Sequence, residues 1–339
     1  MRILGDVTAN TPNPEATLWV LRCGDWHATV SSHGAALLDL RVTASAHSHA
    51  AESPTATRDR DITIVTSEWP TAVDWFAGST LAPWVNRLAD GSWRHGKRTF
   101  TAHINDTSNQ CANHGLVFAK NFEVAEHSER SVTFTTSIHD ASAYDFALNL
   151  AVTYEFSDAG LRVTYDVTNQ GTEPAPFAIG SHPYLVTEPG STFNFEAATE
   201  LAVDSRMLPT GKAAPRVQQL APGANSDHRS IQVSNEEHYT DACFTGLPLN
   251  EAHQAIARLT RPSHNAAVRL WQGAEFTHLQ VFTLMHPEIA GGQTLLALEP
   301  QTAPANALNT GDSLIWLEPQ QTWQASWGLA LEETSTHDQ

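Results

Sequence analysis

The sequence predicts an all-β protein, built as one large antiparallel β-sandwich with long loops and few short helices. Three observations carry that expectation. Apolar residues recur at every second position over long stretches, a short Asp/Gly turn separates two of those stretches, and amphipathic helical periodicity is scarce.

Each element follows from its own pattern. Residues 131–135 place Val132 and Phe134 on one face. Leu148, Leu150, Val152, Tyr154 and Phe156 then alternate with polar neighbours, and after Ser157-Asp158-Ala159-Gly160 the alternation resumes at Leu161, Val163, Tyr165 and Val167. Period two on both sides of a short turn reads as a β-hairpin with one buried face per strand. Leu279, Val281 and Thr283 alternate with Gln280, Phe282 and Leu284, which suggests a strand buried on both faces; residues 295–298 form a shorter run of the same kind. Residues 199–220 are interrupted by Pro209, Gly211 and Pro215 and read as a long loop. Residues 44–61 are polar, aperiodic and contain Pro54, so an exposed excursion is expected there, and 332–339 read as a solvated tail. With no internal repeat and no linker, residues 1–339 are expected to form a single domain.

Composition narrows the function. A 41% hydrophobic and 17% charged chain is a globular, core-forming one. The formal charge of −18 argues against nucleic acid and anionic membranes as partners, and more mildly against phosphorylated ligands. Cys23, Cys111 and Cys243 are odd in number and far apart, so they form neither a disulfide framework nor a Cys-x-x-Cys metal motif. No apolar run reaches signal-peptide or membrane-span length, and a soluble cytoplasmic protein is expected, a monomer or a homodimer. The 17 histidines sit mostly in polar surroundings, without a His-x-x-x-His pair.

Two short runs carry the chemistry. Ile179-Gly180-Ser181-His182-Pro183-Tyr184-Leu185 and Leu296-Ala297-Leu298-Glu299-Pro300-Gln301 each place one protonatable group at the end of an apolar, strand-like stretch. Unperturbed, a histidine titrates near ~6.5 and a glutamate near ~4.3, so one can give a proton while the other takes one. Glu299, ending an apolar run, is expected to be at least half buried and in need of a partner, catalytic or structural. Burial would lower the His182 pKa and a nearby carboxylate would raise it. Arg87, in Pro83-Trp84-Val85-Asn86-Arg87-Leu88, either donates to neighbouring hydroxyls of a ligand or is a structural arginine tied to a carboxylate or carbonyls. His114, in Asn113-His114-Gly115-Leu116-Val117, reads more readily as structural than as catalytic. Asp241, in Asp241-Ala242-Cys243-Phe244-Thr245-Gly246, either accepts ligand hydroxyls or stabilises a turn.

Taken together, these motifs resemble the aldose 1-epimerases, or galactose mutarotases. Arg87 in Pro-Trp-Val-Asn-Arg, His114 in His-Gly-Leu-Val, His182 in His-Pro-Tyr-Leu, Asp241 in Asp-Ala-Cys-Phe-Thr-Gly and Glu299 in Leu-Glu-Pro-Gln stand in the family's order. The run Glu299-Pro300-Gln301-Thr302-Ala303-Pro304-Ala305-Asn306-Ala307 is the most specific part, and the closest likeness is to a bacterial subgroup with His-Gly-Leu-Val and His-Pro-Tyr. The resemblance spans residues 81–329 and implies a galactose mutarotase-like supersandwich. It also implies a cofactor-independent isomerase of small free sugars. By resemblance Glu299 is the base at the C1 hydroxyl, His182 the acid at the ring oxygen, and His114 orients the sugar. Asn86, Arg87 and Asp241 would then bind ring hydroxyls, with no metal, and Trp84 or another of the ten tryptophans would offer the sugar an apolar face. Two features depart from the family pattern: Asn113, where a leucine commonly stands, and the excursion at 44–61.

Three other functions compete. A hexose-6-phosphate 1-epimerase would need extra cations at the pocket mouth, for which Arg58, Arg60, Arg94, Lys97 and Arg98 are candidates, although 93–98 also reads as an exposed hairpin turn. A noncatalytic carbohydrate-binding protein on the same fold would lack the acid or the base. A metal-dependent enzyme would use His114, His182 and Glu299 as ligands.

Overall fold

The computed structural model describes residues 16–43, 61–66, 75–213, 228–233, 240–264, 266–285 and 294–333. Among these, antiparallel strands dominate, and the short helix Ala307–Thr310 stands beside them. Two large sheets carry the fold. The first is 12-stranded and runs in the order Leu18–Cys23, Trp26–Ser31, Ala36–Thr43, Asp61–Thr66, Tyr184–Val186, Thr294–Gln301, His278–Met285, Asp241–Thr245, Thr199–Val203, Pro209–Ala213. The two-residue strands Gly180–Ser181 and Thr80–Leu81 extend it beside Thr294–Gln301. The second sheet is 9-stranded: Glu123–His127, Ser131–Asp140, Tyr144–Ser157, Gly160–Asn169, Thr322–Glu333, Ala266–Gly273, Gln254–Thr260, Ser191–Glu196, His228–Val233.

The period-two stretches behave as their pattern demands. Tyr144–Ser157 and Gly160–Asn169 pair from Leu148 opposite Asn169 to Ser157 opposite Gly160, which is the expected hairpin. Val152, Tyr154, Val163 and Tyr165 are buried in the core between the sheets, with Leu21, Val30, Leu296 and Leu298. The Tyr154 hydroxyl donates to the Ala35 carbonyl at 2.6 Å, tying hairpin to first sheet through the core. His278–Met285 is buried on both faces as expected: Leu279 and Val281 face the main core, whereas Leu284 joins a smaller cluster with Tyr184, Leu295 and Ala297.

Three sequence expectations need correction. Residues 199–213 form a hairpin, Thr199–Val203 against Pro209–Ala213, rather than a loop. Pro209 is tolerated because it starts an edge strand, where no ladder hydrogen bond is asked of it. Asp61 opens the strand Asp61–Thr66, and the rest of the expected excursion, 44–60, lies outside the described residues. Glu332 belongs to the last strand and pairs with Arg258 at 2.7 Å and Arg269 at 3.1 Å, so the solvated tail does not begin there; 334–339 lie outside the described residues.

One close approach sets the loops near the site. Gly115 adopts φ +78° and bridges Ala82, and a Cβ there would collide with the Ala82 carbonyl oxygen. A side chain there meets both a left-handed backbone and a rigid carbonyl. Gly115→Ala is therefore expected to destabilise the protein by more than about 2 kcal/mol. Urea denaturation checks this, and an unmoved midpoint would contradict the bridge.

Candidate active site

Register assembles one half of the site. Gly180 pairs with Gln301 and Tyr184 with Ala297, which puts His182 opposite Glu299. Gln280 pairs with Glu299 on the other side, and Cys243 pairs with Gln280. Opposed residues in an antiparallel ladder share a face, as do residues two apart along a strand. His182, Glu299, Gln280 and Cys243 therefore form one row, flanked on the same face by Asp241 and Gln301. His182 Nε2 lies 3.4 Å from Glu299 Oε1. Glu299 Oε2 accepts a hydrogen bond from Gln301 Nε2 at 2.8 Å. The His182 N–H donates to the Ser79 carbonyl and the His182 carbonyl accepts from Gly78 N–H, so residues 78–79 hold its backbone.

Two loops supply the other half. The small ladder of Arg87–Ala89 with Cys111–Asn113 brings Asn86, Arg87 and His114 together. His114 has φ +67°, donates its backbone N–H to the Asn86 carbonyl, and sets its ring edge-on to His182 at 5.2 Å. Phe76 lies against the His114 ring at 4.5 Å. Arg87 Nε donates to Asp106 Oδ2 at 3.2 Å, and its NH2 lies 3.7 Å from Asp241 Oδ2. Asp241 begins a strand rather than a turn, and its Oδ1 accepts from Gln280 Nε2 at 2.6 Å. Arg87 thus meets both of its readings: it is tied to carboxylates, and it also lines a hollow.

That hollow is small and open to solvent, with Asn86, Arg87, Asp241 and Gln280 as its polar wall, and Val203, Met207 and Pro209 line it too. The latter three come from the hairpin that the sequence masks as a loop, so it roofs the hollow. Arg206, at the hairpin turn, donates to the carbonyls of Asn109 and Gln110 at 2.8 Å each and to Asp90 Oδ1 at 2.9 Å, which latches the roof to the loop carrying Asp106. Glu299 and His182 are 2% and 5% exposed and lie beside the hollow, sealed in this conformation, rather than on its wall. Trp84 is a core residue, its indole N–H donating to the Ala112 carbonyl at 3.0 Å, and offers no face to a ligand. Arg98 is held by Glu173 at 2.7 Å through both nitrogens, away from the hollow, and Arg58 and Arg60 lie outside the described residues. Among the described residues no three His, Cys, Asp or Glu side chains are gathered to hold a metal ion, and no helix is long and apolar enough to cross a membrane.

The family model for aldose 1-epimerases matches residues 18–329, nearly the whole chain. The chain belongs to the aldose 1-epimerase family. YihR of Escherichia coli K12, itself uncharacterized, is 29% identical over 303 residues, covering 88% of either chain. The GalM/aldose epimerase homologue from C. elegans superimposes with a TM-score of 0.76 at 16% identity, covering 94% of this chain and 100% of that one. A galactose mutarotase-like protein from Clostridium acetobutylicum gives 0.71 at 17% identity, covering 94% and 98%. At such identities these structures establish the shared fold.

Burial dominates the electrostatics of this epimerase-family site. It lowers the His182 pKa to about 3. It also holds His114 well below the ordinary imidazole range, helped by the neighbouring His182 and by Arg87. For Glu299, burial first and repulsion from Asp241 second push the pKa well above the usual carboxylate range, against the hydrogen bond from Gln301 and the Arg87 charge. Asp241 is raised by its own burial, which Arg87 and Gln280 offset only in part. Burial also works to raise Asp106, but hydrogen bonds from Asn109 and the Arg87 charge outweigh it, so Asp106 stays an anion. Burial thus drives both groups toward their neutral forms: a deprotonated imidazole beside a carboxyl that holds its proton more tightly than usual.

Sequence reasoning brought His114, His182, Asn86, Arg87, Asp241 and Glu299 into view, and all six converge here. It missed Gln280, Gln301, Asp106 and the roof. A glutamine inside a strand otherwise buried on both faces was the available signal for Gln280, since a buried amide must find partners. If the roof defines the hollow, Arg206→Ala should raise KM about two- to tenfold with kcat little changed, the worth of one net hydrogen bond. Initial-rate kinetics check this; an unaltered KM would leave the latch without a role.

Proposed function

We propose that this chain is a cofactor-independent aldose 1-epimerase, interconverting the α and β anomers of a free aldohexose by acid–base ring opening and closure. The observation that carries the reading is the His182–Glu299 pair, 3.4 Å apart and buried beside a polar hollow. In its reactive form the pair is a carboxylate and an imidazolium. Glu299 takes the proton of the C1 hydroxyl while His182 Nε2 gives its proton to the ring oxygen. The C1–O5 electron pair leaves with O5, and C1–O1 becomes a carbonyl. Rotation about C1–C2 presents the other face, and closure runs the same transfers backwards. Protons on the enzyme are merely exchanged between partners, so no net charge builds up on the sugar.

The other residues have binding roles. Buried and neutral, His114 has a ring Nδ1 without a partner, so it can hydrogen-bond a sugar hydroxyl beside His182. Asn86, Arg87, Asp241 and Gln280 line the hollow and offer mixed donors and acceptors suited to vicinal hydroxyls. Arg87 is the cation of the hollow's described lining, and Asp106 and Asp241 already flank it. That balance favours a neutral sugar over a hexose 6-phosphate, and rates on glucose and glucose 6-phosphate compared side by side distinguish the two.

Glu299→Gln and His182→Ala should each lower kcat by about 10²–10⁴-fold while leaving sugar affinity within a few-fold. Polarimetry on fresh α-D-glucose or α-D-galactose, with circular dichroism to verify folding, is the measurement. Near-normal turnover in a folded Glu299→Gln protein would rule out the assignment. Retained sugar binding by the unaltered protein, with no rate above buffer, would favour a carbohydrate-binding protein instead.

A pair that holds one proton between its members also dictates a pH profile. The pair gains a second proton only as pH falls through the lowered His182 pKa, and it loses its last only as pH rises through the raised Glu299 pKa. Activity above the buffer rate should therefore be nearly as high at about pH 5 as at about pH 7, where an ordinary imidazole of pKa ~6.5 would already have titrated. An acid limb centred near that ordinary value would contradict the sealed pair.

A further inference from the structure

We propose that Gln301 is a positioning residue that directs the proton of Glu299 toward His182 without touching the sugar, an inference that rests on the acid–base reading above. Gln301 stands two residues beyond Glu299 in an extended strand, so both side chains project from one face. It is fully buried, and its Nε2 donates to Glu299 Oε2 at 2.8 Å while Glu299 Oε1 faces His182 Nε2 at 3.4 Å. The two carboxyl oxygens are thereby made inequivalent. An N–H pointed at Oε2 leaves Oε1 as the oxygen that can carry a proton, and Oε1 is the one beside the imidazole.

Two further observations separate this from ordinary packing. The Gln301 Oε1 is buried and accepts no hydrogen bond. Buried amides normally satisfy both ends, so this side chain is held in place by its donor side alone. In addition, its space is made by a glycine: Gly180 pairs with Gln301, and a Cβ there would lie 3.2 Å from Gln301 Cγ and 2.7 Å from the Pro300 carbonyl oxygen. The backbone of the His182 segment and the side chain of Gln301 thus fit each other. When Glu299 ionises, the same N–H stabilises the carboxylate with no rearrangement, as a preorganised donor should.

The test replaces Gln301 by residues that keep its length. Gln301→Met removes the donor and should lower kcat about ten- to hundredfold, the strength of a hydrogen bond to a charged group, with KM within about twofold. Losing a donor to the charged form raises the carboxyl pKa, so the basic limb of the kcat profile should move to higher pH. Gln301→Glu should work only in acid, where the new carboxyl keeps a proton to donate, and fail as pH rises. Should Gln301→Met not fold, Gln301→Glu carries the test: a rate falling with pH supports the proposal, and a rate independent of pH overturns it. Unchanged kcat and pH profile in a folded Gln301→Met overturn it as well, and so does a change in KM alone, which would place the amide on the sugar. A readout free of turnover separates this inference from the proposed function. The infrared band of protonated Glu299, assigned by its loss in Glu299→Gln, should titrate at higher pH in Gln301→Met even if the unaltered protein anomerises no sugar; a band that does not shift overturns the proposal.

Discussion

The antiparallel register between the segment Gly180 to Val186 and the strand Thr294–Gln301 is the constraint on which the rest of the molecule depends. It places His182 opposite Glu299, although 116 positions of chain separate them. Slipping it by one residue would turn Glu299 toward the sandwich core and put Leu298 or Pro300 in the site. The apolar residues of the same strand prevent that slip. Leu296 and Leu298 pack into the core between the sheets, whereas Leu295 and Ala297 pack on the opposite face with Tyr184, Val186 and Leu284. Both faces are thus specified by burial, and the His182–Glu299 pair inherits its alignment from hydrophobic packing.

That location explains the protonation state. A carboxylate and an imidazolium taken from water each carry a desolvation penalty of several kcal/mol, which their attraction need not repay. Burial favours the neutral form of each group, which lessens that penalty. A single guanidinium serves the remaining acids: Arg87 reaches Asp106 at 3.2 Å and Asp241 at 3.7 Å. Asp106 is the better stabilised anion, and Asp241, its own pKa raised, acts on Glu299 by repulsion. Burial and a neighbouring carboxylate thus both favour the protonated form of Glu299.

How legible this was follows from the kind of information each part uses. The hairpin of Tyr144–Ser157 with Gly160–Asn169 was plain, since alternation is a local pattern with a physical cause. The strand His278–Met285 was legible for the same reason, with both faces buried. His182 and Glu299 stood out as polar groups closing apolar runs, but their meeting is a matter of strand order, which alternation does not encode. The hairpin at 199–213 was hidden because Pro209 and Gly211 imitate a loop wherever an edge strand is not suspected. Trp84 was misjudged because an aromatic beside a candidate site looks alike whether it faces a ligand or the core; the Ala112 carbonyl that accepts its N–H is set by tertiary structure. Gln301 lay in plain view within Glu-Pro-Gln, yet only the same-face spacing at an assigned strand ties it to the carboxyl.

Backbone conformation shows where the two large sheets spend their rigidity. Phe76, Asn86, His114 and Asn306 all hold left-handed φ angles, between +52° and +67°, and all belong to the loops around the site. Each such residue costs of order 1–2 kcal/mol relative to an ordinary conformation. They persist because neighbours hold them: Asn86 accepts the His114 N–H, while Asn306 donates its N–H to the Arg87 carbonyl and accepts Ala89 N–H on its side chain at 3.1 Å. These bonds fix the peptide planes on either side of Arg87 and beside His114, so the polar wall of the hollow is set before any ligand arrives. A polar wall that needed ordering on binding would spend ligand affinity on that order. Here the sheets supply the order in advance, so the binding energy of the proposed sugar ligand would not be spent on it.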